Sequence, residues 1–256
     1  LNEVPSPTNP LGVKAGGEGH AEVGDRANDG LRVDARELGA QVVGEGANLG
    51  LTQRARIEYA ARGGRINTDA IDNSEGVDCS DHEVNIKVAL DQVVAAGDMT
   101  LKQRDALLGT MTDEVADLVL RDNYLQTQAI GIAEAQASAH LEYHARLMRM
   151  LEKAGLLNRA VEFLPNDEEL AERGKSGGGL TRPEIAVLLA YAKNDLFARL
   201  RDSDVPEDTY LGEDLVRYFP APMRERYGAN ISEHRLRREI IATSVANSLV
   251  NRAGPA

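Results

Sequence analysis

Three glycines spaced Gly44-x-Gly46-x-x-x-Gly50 stand between a short apolar run at residues 40–43 and a stretch that Thr52 can cap as a helix. Strand, glycine turn and helix are the context of a dinucleotide site, because glycines let backbone amides approach a pyrophosphate at a helix N-terminus. The spacing here is one residue off the usual fingerprint. Too few residues precede the turn, and only one further strand candidate follows it, the alternating residues 65–71. A complete nucleotide-binding sheet cannot be assembled from that material. On pattern alone, a plain strand-to-helix turn is preferred to a pyrophosphate site.

The rest of the chain reads as helices. Ser80 followed by Glu83 has the form of a capping box, with Val84, Val88, Leu90, Val93 and Val94 as an apolar face before Gly97. Thr100, Thr112 and Thr181 mark further helix starts. The last is strengthened by Pro183 in the first turn and Glu184 three residues on. The run 184–200 is apolar enough to be buried, and a final helix is expected over 232–252. Residues 174–179, GKSGGG, read as a flexible linker or hairpin, and residues 1–30 as loop-rich. The expected fold is mainly α, with a small α/β edge of a nucleotide-binding type followed by an all-helical region. The boundary falls between domains 1–78 and 79–256.

Composition removes several functions. Acidic residues outnumber basic ones 41 to 29, for a net charge of −12, which disfavours a nucleic-acid backbone partner. No apolar run reaches the roughly 18 residues of a membrane span. Cys79 is the only cysteine, so there is no internal disulfide, and a reducing cytoplasm is expected. Lys14 lies in a glycine-rich stretch and is expected as a solvated surface lysine. Asp78-Cys79-Ser80-Asp81-His82-Glu83 gathers ligand-type side chains, and Cys79 with His82 could share a metal or act as nucleophile and base. Consecutive residues seldom all point inward, so a helix N-terminus is the preferred reading and no metal is expected. His140 and His144 read as a helix-surface pair. Arg226, Arg235, Arg237 and Arg238, interleaved with Glu233 and Glu239, read as a salt-bridged helix face.

The segment Gly44-Glu45-Gly46-Ala47-Asn48 resembles the glycine-alanine-asparagine motif of amino-acid dehydrogenases. GLTQRARIEYA and GGRINTDAIDNSEGVDCSDHEVNIK are similar to the large bacterial NAD-specific glutamate dehydrogenases. Thr181-Arg182-Pro183-Glu184 and HRLRREIIATSVANSLVNR resemble that family's C-terminal helical region. The resemblance spans residues 13–256 and implies an internal piece of a longer enzyme. It implies oxidative deamination of L-glutamate to 2-oxoglutarate and ammonia with NAD as cofactor, in a homo-oligomer. It places Gly46, Ala47, Asn48 and Asn73 at the cofactor, and Ser80 at the substrate side-chain carboxylate. It assigns no catalytic residue to this chain, because the family's lysine, aspartate and pyrophosphate fingerprint lie upstream. The contrasting expectation is a non-catalytic helical interaction or assembly module.

Overall fold

The computed structural model describes residues 11–46 and 49–256. Two strands, β1 (Val13–Lys14) and β2 (Val33–Asp34), form a two-stranded parallel sheet in the register Val13↔Val33. The helices in chain order are α1 (His20–Val23), α2 (Gln53–Ala61), α3 (Asp69–Asp72), α4 (Ser74–Ala95), α5 (Leu101–Gly109), α6 (Thr112–Ala135) and α7 (Leu141–Lys153). They continue with α8 (Asp167–Lys175), α9 (Arg182–Arg201), α10 (Gly212–Tyr218), α11 (Ala221–Arg226), α12 (Gly228–Ser232) and α13 (Arg237–Ala253). The fold is therefore mainly α with a small α/β edge. Two compact units emerge: unit 1 holds the residues through Asn73, Thr127–Ala192 and Ala253–Ala256, and unit 2 holds Ser74–Gln126 and Lys193–Arg252.

In unit 1 the parallel pair and α2 enclose a small core of Val13, Ala35, Val43, Leu51, Ala55, Tyr59 and Ile66. Thr52 caps α2 as expected, its hydroxyl accepting the Ala55 N–H at 3.0 Å. Gly63, at φ +93°, turns the chain out of the helix. The strands differ from expectation. Residues 40–43 and 65–71 meet only at the single bridge Val42↔Arg65. Asn67 instead gives its side-chain amide to Asp72 at 2.7 Å, and the chain bends into α3. Of the two strands, β1 lies in the stretch expected as loop and β2 just beyond it. Their register sets Lys14 beside Asp34, so Lys14 is ion-paired and largely covered rather than solvated.

The remainder of unit 1 is helical. Along α7 the buried positions are His144, Ala145, Leu147, Met148 and Leu151, a stripe at helical spacing that packs on α8. At the start of α9, residues 183–189 are buried without a break, which leaves no face of this turn for solvent. Arg173 makes a bidentate pair with Glu184 at 2.8 and 2.9 Å, and Glu184 also accepts from the Thr181 backbone and hydroxyl. The GKSGGG segment is not a flexible linker. It caps α8: Gly177 sits at φ +72° and the Gly178 N–H bonds the Arg173 carbonyl at 2.8 Å.

His144 departs from the expected surface pair, being 2% exposed with Nδ1 unpartnered. Burial, with some help from the neighbouring His140, pushes its imidazole down to about 4. A folded value below the unfolded one gives stability that is present above the unfolded pKa of about 6.5 and drains away as pH falls toward the folded value. Urea unfolding of the wild type should therefore lose about 2 kcal/mol more between pH 7 and pH 5 than His144→Leu loses. Equal losses in the two proteins would mean that His144 is solvated.

Unit 2 is built on α4, α5 and α10–α13 around Ile86, Leu90, Val93, Met111, Phe219, Met223 and Ile241, among others. Thr100 forms the expected capping box with Gln103. Two sequence expectations fail here. The apolar face of α4 runs through Ile86, Ala89, Leu90 and Val93, while Val84 is exposed. The last helix begins at Arg237 rather than 232, because the His234 Nδ1 accepts the Leu236 N–H at 3.0 Å and holds a turn between α12 and α13. The basic residues that open α13 find a different acid from the one expected. Arg238 pairs with Glu207, and also bonds the carbonyls of Arg201 and Ser203 at 2.8 Å.

Candidate functional site

In unit 1 the glycine turn is held by the chain's own carboxylates. The Gly50 N–H donates to Glu45 Oε1 at 3.2 Å, the Leu49 N–H to Asp69 Oδ2 at 3.3 Å, and the Glu45 N–H to Asp72 Oδ2 at 3.1 Å. Glu45 is buried and ion-paired with the buried Arg56. Leu49 adopts a left-handed φ of +59°, a strained position that these bonds stabilise. A phosphate would have to displace carboxylates from these amides, so the turn does not fit a pyrophosphate. The plain-turn reading accounts for it, although residues 40–43 contribute only a single bridge in place of the expected strand.

Asp72 is the hub of this arrangement. Its second oxygen accepts from Asn67, whose Oδ1 accepts from Arg182 Nε at 2.7 Å. Arg182 also reaches Glu134 at 3.0 Å and the Thr127 carbonyl at 3.3 Å. The structure thereby ties RINTDAIDN to TRPE, two motifs more than a hundred residues apart, within one unit. Gly46 lies against this hub, with the Asp72 carbonyl 3.9 Å from where a Cβ would stand. Asn73 follows as the C-cap of α3 and is half-buried. Ala47 and Asn48 lie outside the described residues.

Ser80 belongs to unit 2, and its expected helix cap is corrected. Helix α4 starts at Ser74, six residues earlier, so Ser80 is in its second turn with its hydroxyl donating to the Gly76 carbonyl at 3.1 Å. The helix starts early because the chain leaves α3 at Asn73 and re-enters helix at once. The capping-box pattern is then spent inside a helix, where Ser80 is exposed.

Unit 2 also contains a polar cluster of which the stretch 78–83 marked only a part. Asp78 and His82 are one turn apart on α4, Asp122 is on α6, Lys193 on α9 and Tyr218 on α10. The ligand-type atoms of Asp78, His82 and Asp122 all lie within 4.8 Å of one another. Tyr218 stacks on the His82 ring, with centroids 4.3 Å apart and planes 19° apart, and accepts from Asn85 Nδ2 at 2.8 Å. The Asn85 carbonyl in turn bonds His234 Nε2 at 3.0 Å. Since His234 Nδ1 accepts from Leu236, its proton resides on Nε2. Lys193 donates to Gln126 Oε1 at 2.7 Å.

Burial dominates the electrostatics of this cluster. It pushes Asp78 up to about 7, with the negative charges of Asp122 and Asp81 adding to the shift and Lys193 opposing it. It pushes Lys193 down to about 8, partly offset by Asp122 and Asp78, and His82 down to about 4. Tyr218 is also held up by burial. Cys79 is raised by partial burial and by the carboxylates of Glu75 and Asp78, so it stays a thiol and is a poor nucleophile. Sequence reasoning missed Asp122, Lys193 and Tyr218. The one signal available was Lys193, a cation in the middle of the apolar run of α9.

Among the described residues, no helix is long and apolar enough to cross a membrane. The family model for the catalytic domain of bacterial NAD-glutamate dehydrogenase matches residues 11–133, and that for the glutamate dehydrogenase C-terminal region matches 177–256. The NAD-specific glutamate dehydrogenase of Pseudomonas aeruginosa is 58% identical over 242 residues, 94% of this chain and 15% of the relative. The proteins of that name from Halomonas elongata and Mycobacterium tuberculosis are 55% and 48% identical over the same shares. The chain thus spans about 15% of the length of these curated relatives. With catalytic and C-terminal regions matched in order, this chain belongs to the bacterial NAD-specific glutamate dehydrogenase family.

Proposed function

We propose that this chain is part of an NAD-dependent glutamate dehydrogenase that converts L-glutamate to 2-oxoglutarate and ammonia. The observation that carries this reading is the 58% identity to such an enzyme over 94% of the chain. Residues 1–78 are then the closing part of the NAD-binding α/β domain and residues 79–256 a helical domain. NAD supplies the hydride acceptor. The chain's share in holding it falls to Asn73 and Asn48 through their side-chain amides, with Gly46 and Ala47 between hub and cofactor, because the backbone amides of Glu45, Leu49 and Gly50 are already bonded to Asp72, Asp69 and Glu45. An asparagine can both donate and accept, which suits a ribose hydroxyl or a carboxamide. Ser80 presents an exposed hydroxyl, and a glutamate carboxylate would recruit it away from the Gly76 carbonyl. The parent protein acts in the cytoplasm as a homo-oligomer.

The test is steady-state kinetics of the full-length protein with glutamate and NAD, alongside Ser80→Ala. A hydrogen bond to a charged group is worth about 1.5–3 kcal/mol, so the variant should raise the glutamate KM by roughly tenfold or more. The NAD KM should be unchanged, and stability should stay within about 0.5 kcal/mol, as befits an exposed helix position. A full-length protein that does not turn over glutamate with NAD sinks the function. An unchanged glutamate KM in the variant sinks the role of Ser80 alone.

A further inference from the structure

His82 is buried to 2% exposure, yet neither of its ring nitrogens has a hydrogen-bond partner. Buried imidazoles normally satisfy both nitrogens, so an orphaned ring signals a missing ligand or an unmet cost. Asp78 Oδ2 is orphaned in the same way. The two residues are four apart on α4, which puts them on one face, with His82 Nε2 4.0 Å from Asp78 Oδ1. Asp122 brings a second carboxylate from α6, and every pair of ligand atoms in the trio falls within 4.8 Å. The flat stack on Tyr218 fixes the plane of the imidazole, as the neighbours of a metal-bound histidine do.

We propose that Asp78, His82 and Asp122 form a binding site for one divalent transition-metal cation, zinc being the best fit. One imidazole nitrogen and two carboxylate oxygens are a donor set for zinc and its neighbours. Magnesium and calcium prefer six or more oxygens. Three protein ligands leave a fourth position for water. Bonds of about 2.0–2.2 Å place tetrahedral ligand atoms about 3.4 Å apart, so the trio needs only side-chain rotation to close on the ion. Besides Tyr218, charged groups act on the site, Arg121 beside Asp122 among them. Lys193 is the competing cation, and its ammonium is engaged by Gln126. Asp81 adds negative charge from α4. Consecutive residues 78–83 could not make this site by themselves. It arises because α6 delivers Asp122 to the face of α4 that carries Asp78 and His82. Cys79, the partner that sequence suggests for His82, is not among the clustered ligands. A bound ion would cross-link α4 to α6 within unit 2, and the proposal does not depend on the dehydrogenase reading.

The test is titration of the EDTA-stripped chain with Zn²⁺ against a chromophoric chelator, with the thermal midpoint followed in parallel. One equivalent should bind with a Kd below about 100 µM and raise the midpoint, and Co²⁺ should give visible absorption of a low-symmetry site. Asp122→Asn, at an exposed position that leaves the fold intact, should weaken binding roughly tenfold or more. His82→Phe keeps the stack on Tyr218, removes both orphan nitrogens, and should abolish the stoichiometric site while the metal-free protein stays folded by circular dichroism. Absence of saturable Zn²⁺ binding overturns the proposal. So does one-equivalent binding that survives both substitutions, since the surface histidines His20 and His140 would then hold the ion.

Discussion

Arg56→Met should cost unit 1 about 3–5 kcal/mol, the usual penalty for stranding one member of a buried ion pair. Glu45 and Arg56 are both buried, with side-chain exposures of 1% and 4%. Removing the guanidinium leaves the Glu45 carboxylate facing only the Gly50 N–H at 3.2 Å, in a place where water cannot reach it. Asp69, 3.7 Å from Arg56, loses a partner as well. The double variant Glu45→Leu/Arg56→Met should recover most of the loss, because no buried charge then remains, although the Gly50 amide is left to find another acceptor. Urea denaturation of the three proteins measures this directly. A loss under about 1 kcal/mol for Arg56→Met would mean that Glu45 reaches solvent, and would reopen the glycine turn to an external anion.

Leu188→Ala is expected to cost about 2–5 kcal/mol, from lost transfer energy plus the cavity left behind. Leu188 is fully buried, and so are Ile185 and Leu189 beside it. The contiguous burial of residues 183–189 means that little can move in to fill the hole. Leu196, later on the same helix, is only partly covered, and its replacement by alanine should cost distinctly less. Coincident denaturant midpoints for wild type and Leu188→Ala would show that this turn of α9 is not core.

Local chemistry made some elements legible. Thr52 and Thr100 cap helices because each hydroxyl is followed by a free N–H three residues on, a relation contained within one turn of chain. The Thr181 start and the buried run after it follow from Pro183, Glu184 and the density of apolar residues. The family was legible for a similar reason: its motifs are contiguous strings. Where the same local rules failed, an earlier helix start, a distant partner or the direction of a helix face overrode them. Ser80 and Glu83 have the pattern of a cap, but the helix had already begun at Ser74. Residues 65–71 alternate like a strand, but Asn67 and Asp72 bond across the bend, and Arg182 locks Asn67 from far along the chain. His144 has the spacing of a surface pair and is buried because its face of α7 is the inward one.

The sequence by itself determined the mainly helical class, the family, and the short capped elements, since each depends on neighbours a few residues apart or on an unbroken motif. It could not determine where a charge is buried or what it meets, because that depends on which helix faces arrive together. Tertiary structure alone decided that Asp69 and Asp72 occupy amides of the glycine turn, and that TRPE anchors RINTDAIDN through Arg182. It alone set Asp122 and Lys193 beside Asp78 and His82. The physical reason is the same in each case: burial and charge act through space, and these partners are separated by tens of residues along the chain.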